Sequence, residues 1–197
     1  MKDGQHATKK AIIATAIGLF GERGFHATSV RDIVSATGIT QGAFYHHFES
    51  KEEVLLDIHR AFIETYSDLI LGILETQQDP VSTLRSLIVE LLVFVERFQM
   101  EVAIFFEERQ FLDERAFSEV KRRLEQTNQG MLRLVSEGMR SGRLRRVGNP
   151  TIVLNAFLGM CTWAYQWYRP SGLTSREIGN VFADIILTGL DAGARGG

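Results

Sequence analysis

Through residues 7–23 the apolar positions Ile12, Ile13, Ala16, Ile17, Leu19 and Phe20 recur at intervals of three and four, the spacing of one buried helical face, and Gly24 supplies a stop. Thr28 or Ser29 can cap a short second helix with Val30, Ile33, Val34 and Thr37 on one side, ending at Gly38. Thr40 can cap a third that reaches about His47. A tight turn at Gly38 between the two short helices predicts a helix-turn-helix. Ser50 and Glu53 have capping-box spacing and open a fourth helix that can run to about Glu75, about 38 Å at 1.5 Å per residue. After Gln77-Gln78-Asp79-Pro80 the pattern resumes over residues 80–98, then 102–112 and 114–140, where Ser141-Gly142 ends it. Asn149-Pro150 starts a helix that continues through Tyr168 to the Arg169-Pro170 stop. The run from Thr174 to Glu177 repeats the capping box for a last helix striped with Ile178, Val181, Phe182, Ile185 and Ile186. Nine helices and an all-α fold are predicted, with a Gly-rich tail from Gly193.

Composition agrees. The chain has 197 residues, 45% of them hydrophobic, enough for a substantial core, and only three prolines. The single cysteine, Cys161, lies in an apolar run, which fits a buried small hydrophobe in a reducing cytoplasm rather than a disulfide framework. The apolar run after Lys9-Lys10 is closed by Glu22 and Arg23, lacks an Ala-x-Ala cleavage pattern, and is too short for the roughly 20 residues of a membrane span. No membrane partner is expected. The net charge of −2 conceals an asymmetry: residues 1–51 carry six Lys or Arg against four acids, while the rest is acidic in balance. A polyanion should therefore meet the N-terminal part.

On an ideal helix turning about 100° per residue, Gln41, Gly42, Tyr45 and His46 share one arc, and Ala43, Phe44, His47 and Phe48 the other. Phe44 and Phe48 can pack against Val30, Ile33 and Val34, which leaves a polar and aromatic face for something outside the chain. A DNA major groove suits that face. Gln41 can pair bidentately with adenine, and Gly42 removes a side chain that would hold the backbone away. Thr40 and the free amides of the first turn suit a phosphate, Tyr45, His46 and Lys51 can hold the flanking backbone, and Arg31 offers a second groove contact. Blander roles stand beside these: Gly42 as a packing glycine, Arg31 paired with an acid, Thr28 and Thr40 as caps only. His46, His47 and His59 are the candidate metal cluster, but adjacent histidines point to different sides of a helix and no cysteine or HExxH pattern accompanies them, so neither metal nor cofactor is expected.

The stretches from Thr28 to Ile33 and from Gly38 to Phe48, followed by Ser50-Lys51-Glu52, resemble the DNA-binding module of TetR-type bacterial transcriptional regulators over about 60 residues. The resemblance implies an all-helical homodimer, with residues 1–50 binding a double-stranded DNA operator through the third helix and residues 51–197 serving ligand binding and dimerisation. By that pattern Thr28, Ser29, Arg31, Thr40, Gln41, Gly42, Tyr45, His46 and Lys51 sit at DNA-contacting positions. Many family members carry lysine where this chain has Gln41, so a phosphate contact can here become a base contact.

In the second half, residues 150–168 hold Phe157, Met160, Cys161, Trp163, Tyr165, Trp167 and Tyr168 nearly all the way round a helix, as for one buried on several sides. Tyr66, Phe94, Phe98, Phe105, Phe106 and Phe111 add rings from other helices. Such a set serves either as core or as the wall of a large apolar pocket; Tyr66, Phe94, Phe98, Phe105, Phe106, Trp163 and Trp167 are the candidate ligand residues. Phe157, Ile178, Val181, Phe182 and Ile185, with Trp167, are candidates for a four-helix dimer contact. The segment from Thr162 to Gly172, with Ile104-Phe105-Phe106-Glu107-Glu108, resembles TetR-type repressors of steroid and fatty-acid catabolism, which implies an acyl-CoA effector; a regulator of efflux answering a drug-like aromatic molecule is the alternative. A phosphate of CoA would want cations such as Arg140, Arg143, Arg145 and Arg146, a cluster that also reads as a solvated helix end. No Ser-His-Asp, Cys-His or paired-carboxylate constellation points to an enzyme.

Overall fold

The computed structural model describes residues 2–76, 79–170 and 172–190; Gln77, Gln78 and the Gly-rich tail lie outside them. The described elements are all helices: α1 (Lys2–Arg23), α2 (Val30–Thr37), α3 (Gln41–Tyr45), α4 (Lys51–Thr76), α5 (Pro80–Arg97), α6 (Gln99–Glu107), a 3-10 turn (Arg109–Phe111), α7 (Glu114–Arg140), α8 (Pro150–Thr162), α9 (Ala164–Trp167) and α10 (Ser175–Leu190). None of the described helices is long and apolar enough to cross a membrane. The chain divides into two compact units, residues 1–63 with 100–121 and residues 64–99 with 122–197.

The first unit closes around Ile12, Ala16 and Phe20 of α1, Ile33 of α2, Phe44 of α3, Phe48 in the turn after it, Val54, Leu55 and Ile58 of α4, and Ile104 of α6. Short helices cannot sustain themselves on propensity, so caps and this shared core define them. Ser29 caps α2 in a reciprocal box with Asp32, and Gly38 ends it at φ 73°, donating back to Ser35 and Val34. The two bonds from the Ser29 side chain and backbone hold the Asp32 carboxyl below its ordinary range. Thr40 caps α3 by accepting from the Ala43 amide at 3.1 Å. Lys9 ties α1 to Asp57 of α4 at 2.7 Å and lies 5.1 Å from the centre of the Phe48 ring.

In the second unit α5 is the central element: Leu84, Leu87, Ile88, Leu91, Leu92 and Val95 are all buried, and α8, α9 and α10 pack on it. A Cβ at Gly179 of α10 would stand 2.8 Å from the Cα of Val89, so only glycine permits that approach. The Glu96 carboxylate accepts from the hydroxyls of Ser175 and Tyr168, which holds it below the usual carboxylate range. Gln99 donates to the carbonyls of Tyr165 at 2.7 Å and Tyr168 at 3.2 Å.

Several boundaries differ from expectation. The first helix begins at Lys2 rather than residue 7, and the third stops at Tyr45. The helix expected at 102–112 starts at Gln99 and gives way to the 3-10 turn. The single helix expected over 150–168 breaks at Trp163, where the Thr162 hydroxyl donates to the Leu158 carbonyl at 2.7 Å, a back-bond of the kind that bends helices. Counted as one interrupted helix, α8 and α9 match the expected number.

Candidate nucleic-acid interface

Burial divides α3 and its flanks as the helical arcs require. Gln41, Gly42, Tyr45 and His46 are exposed, Phe44 and Phe48 are in the core, and His47 lies between. Tyr45 is 51% exposed while its ring meets the buried Phe44 edge-on at 5.4 Å. Only the Thr40 hydroxyl oxygen, at 4.0 Å, would come near a Cβ on Gly42, so nothing inside the described chain requires glycine there. Because the Thr40 oxygen accepts from Ala43, its proton is still available to an external acceptor. His46 faces Gln5 of α1, Nε2 to Nε2 at 3.1 Å, a contact that the extension of α1 toward Lys2 creates. Arg31 is exposed on α2.

The remaining candidates are engaged within the chain. Thr28, placed at DNA by resemblance, is 2% exposed, and its hydroxyl donates to the Gly24 carbonyl at 2.9 Å and braces the loop. The Ser29 hydroxyl donates to Asp32 at 2.5 Å. Lys51 donates to the carbonyls of Phe25 and Thr28, each at 2.9 Å, with its ammonium 4.3 Å from the centre of the Phe25 ring. Two of its three protons hold the loop between α1 and α2, which leaves the third for an external acceptor. Thr28, Ser29 and Lys51 border a cleft of about 410 Å3 that His26 and Tyr45 also line.

The candidate ligand residues are shared between the two units. Tyr66, Phe94 and Phe98 form a chain of rings, with centroids 6.0 and 4.7 Å apart, and the buried Tyr66 hydroxyl donates to Asn128 at 3.4 Å. Phe105 belongs to the first unit, against His59, Phe62 and Phe117. Phe106, Trp163 and Trp167 are exposed, Trp163 by 61%, so none of the three forms a wall in its own unit. The arginine cluster is engaged at its helix end: Arg143 pairs with Asp79, and Arg145 donates to the Gly189 carbonyl at 2.6 Å.

Phe157, expected at a dimer contact, is fully buried within its own unit. The outward stripe of α8 is Ile152, Ala156 and Gly159, continued by Trp163 at its C-terminal cap, and on α10 Val181 and Ile185 are outward at 50% and 58% exposure, with Ile178 and Phe182 half-buried beside them. On a helix apolar all round, periodicity could not choose between Phe157 and this stripe.

A three-helix unit with a short, capped, outward-facing third helix is the geometry of a DNA reader, and comparison with known proteins decides its lineage. Residues 12–58 match the family model described as bacterial regulatory proteins, tetR family, and residues 77–190 match the tetracyclin repressor-like C-terminal domain. The chain belongs to the TetR family. It is thus a DNA-binding transcriptional regulator, and 31% identical over 182 residues to the transcriptional repressor KstR2 of Mycobacterium tuberculosis, covering 91% of this chain and 90% of that one. The structure of that ketosteroid transcriptional regulator superposes with a TM-score of 0.85 at 29% identity, over 93% of this chain and 94% of the other. AibR, crystallised with isovaleryl coenzyme A and operator DNA, superposes with a TM-score of 0.83 at 27% identity, over 91% of this chain and 98% of the other. For this TetR-family chain, the similarity spans both halves.

Proposed function

We propose that this regulator is a homodimeric, effector-responsive cytoplasmic repressor whose α3 enters the major groove of a double-stranded, pseudo-palindromic operator. The observation that carries the reading is α3 itself: its core face is fully used, while Gln41, Gly42, Tyr45 and the Thr40 proton remain available and the exposed His46 engages Gln5 through one ring nitrogen. Gln41 reads adenine, Gly42 admits the backbone, Thr40, Tyr45 and His46 hold phosphates, and Arg31 adds a contact from α2. Thr28, Ser29 and Lys51 act through the loop they hold, with the third Lys51 proton directed to phosphate.

Two subunits join through Ile178, Val181, Phe182 and Ile185 of α10 with Ile152 and Trp163 of α8, an exposed apolar stripe of the kind that marks an interface. Trp167, its ring 6.2 Å from Phe182, borders it. The effector is a large, mainly apolar molecule of acyl-CoA type; the similarity to KstR2 and to AibR with isovaleryl coenzyme A supports that class. Tyr66, Phe94 and Phe98 are the aromatic residues retained for it. The effector releases DNA, which requires that it bind the DNA-incompetent state more tightly.

Duplexes tiling the region upstream of its own gene, followed by fluorescence anisotropy, test the DNA reading: tight binding by one duplex over random DNA is expected. A panel of short-, long-chain and steroid-derived acyl-CoAs beside drug-like aromatic cations should then stabilise the protein thermally and release that duplex. Release by the aromatic cations alone would transfer the protein to the efflux class, and turnover of a CoA thioester would make it an enzyme. Gln41→Ala should relax preference at one base position by about 1–3 kcal/mol, whereas Lys51→Ala should weaken all sequences alike. Equal losses on operator and random DNA from both would sink these roles.

A further inference from the structure

The backbone and ring of Phe25, in the loop between α1 and α2, are all engaged, and half of the engagement comes from residues far along the chain. Its carbonyl accepts from Lys51. Its amide donates to Glu108 Oε1 at 3.0 Å, across 83 positions of sequence. Its ring meets Phe20 edge-on at 5.1 Å and stacks on Phe111 of the 3-10 turn at 5.3 Å. Phe111 also stacks on His26 at 6.0 Å. Gly24, which ends α1 at φ 81°, would bring a Cβ to 3.4 Å from the same Glu108 oxygen, so the carboxylate lies directly against the turn.

From this geometry we infer that Glu108 and Phe111 are positioning residues for DNA binding: a strap from the end of α6 that holds the α1–α2 loop where the start of α2 and the cleft beside Tyr45 and Lys51 can receive a phosphate. The inference rests on the DNA-binding reading above. Lys51 grips the loop at two carbonyls and the Phe25 ring but offers no acceptor, leaving the Phe25 amide without one if Glu108 lets go, so the two grips are not redundant. A short connection without secondary structure would otherwise spend much of its time in other conformations, and ordering it at the moment of binding would reduce affinity. Ser29, Asp32 and the first amides of α2 follow directly from Thr28 in the chain, so a shift in the loop changes where α2 begins. Because the segment between α6 and α7 supplies the strap, its state becomes a lever on operator affinity.

The test uses the full chain and the upstream duplex it binds. Glu108→Ala should weaken operator binding by about tenfold, the magnitude of a single hydrogen bond to a charged group, and Phe111→Ala, which removes a ring stack, by about two- to tenfold. Glu108→Gln, which keeps an acceptor oxygen, should restore binding to within about twofold. The slope of log affinity against log salt should flatten in Glu108→Ala, because the loop serves phosphates rather than bases. Binding is measured well below each variant's unfolding temperature and per active molecule, so a merely structural loss changes neither affinity nor slope. Hydrogen exchange without DNA should show faster exchange of the Phe25 amide in Glu108→Ala and not in Glu108→Gln. Unchanged affinity and salt slope in Glu108→Ala, on a duplex that the unmodified protein binds, overturns the inference, as does an unchanged Phe25 exchange rate. Failure of the unmodified protein to bind any upstream duplex overturns the DNA reading instead.

Discussion

Gly42 separates two demands that a single side chain usually has to satisfy together. Its surroundings leave room for a methyl group, the nearest atom to a Cβ being Thr40 Oγ1 at 4.0 Å, and alanine is the better helix former by up to about 1 kcal/mol. Gly42→Ala is therefore expected to raise the urea midpoint while weakening operator binding by about tenfold, or 1.4 kcal/mol. A variant both more stable and equally tight would remove the reason given for the glycine. His59 is the complementary case, a titratable group with no access to water. Its Nδ1 lies 2.9 Å from the Leu55 carbonyl, an acceptor, so Nδ1 carries the proton. Burial beside the rings of Phe105 and Phe117 pushes its pKa below the ordinary 6.5, the bond to Leu55 offsetting only part of this. The unfolded chain then takes up a proton that the folded one refuses, so stability should decline as pH falls through 6.5 and below. Urea midpoints at pH 7.5 and 5.5 should move apart in the wild type and draw together in His59→Phe. The histidines of the candidate metal cluster thus separate: His59 is core, and His46 faces outward beside Gln5.

Helices are where sequence reading and structure agree most closely, and where the disagreements are instructive. Capping signals at Ser29, Thr40, Ser50 and Thr174 all appear as side-chain bonds to backbone amides, because a cap involves residues only two or three positions apart. The division of α3 into a core arc and an outer arc was legible for the same reason. What was not legible lies across helices. Gly179 is a plain case: nothing in its neighbourhood of sequence marks it, yet α10 meets α5 there at backbone distance. Gly179→Ala should cost about 1–3 kcal/mol, since Val89 Cα cannot yield as a side-chain end could. The measurement is a lower denaturant midpoint at unchanged slope. Gly159→Ala serves as the control: its Cβ meets nothing within 4 Å, and alanine is the better helix former, so the midpoint should hold or rise.

The whole molecule leaves Ile152, Trp163, Val181 and Ile185 facing outward from α8 and α10, and large apolar groups in one stripe are costly to keep in water. The double variant Val181→Asp, Ile185→Asp places two carboxylates there without touching the buried Phe157. Sedimentation should show a monomer of unchanged helicity that no longer binds the operator tightly, because one half-site supplies only part of the contacts. A dimer that survives both substitutions would move the interface elsewhere.

Spacing and caps were enough, from the order of residues, to establish an all-helical chain, a helix-turn-helix at its start and the inward and outward faces of the third helix; these depend on contacts within about one turn. Three-dimensional packing decided the matters that depend on which distant surfaces meet. It buried Phe157 and exposed Trp163 on a helix whose periodicity favoured neither, and broke that helix at Trp163. It also turned Thr28 and two protons of Lys51 inward onto a loop. The same packing brought Glu108 to the Phe25 amide, 83 residues away, for which no local pattern exists to be read.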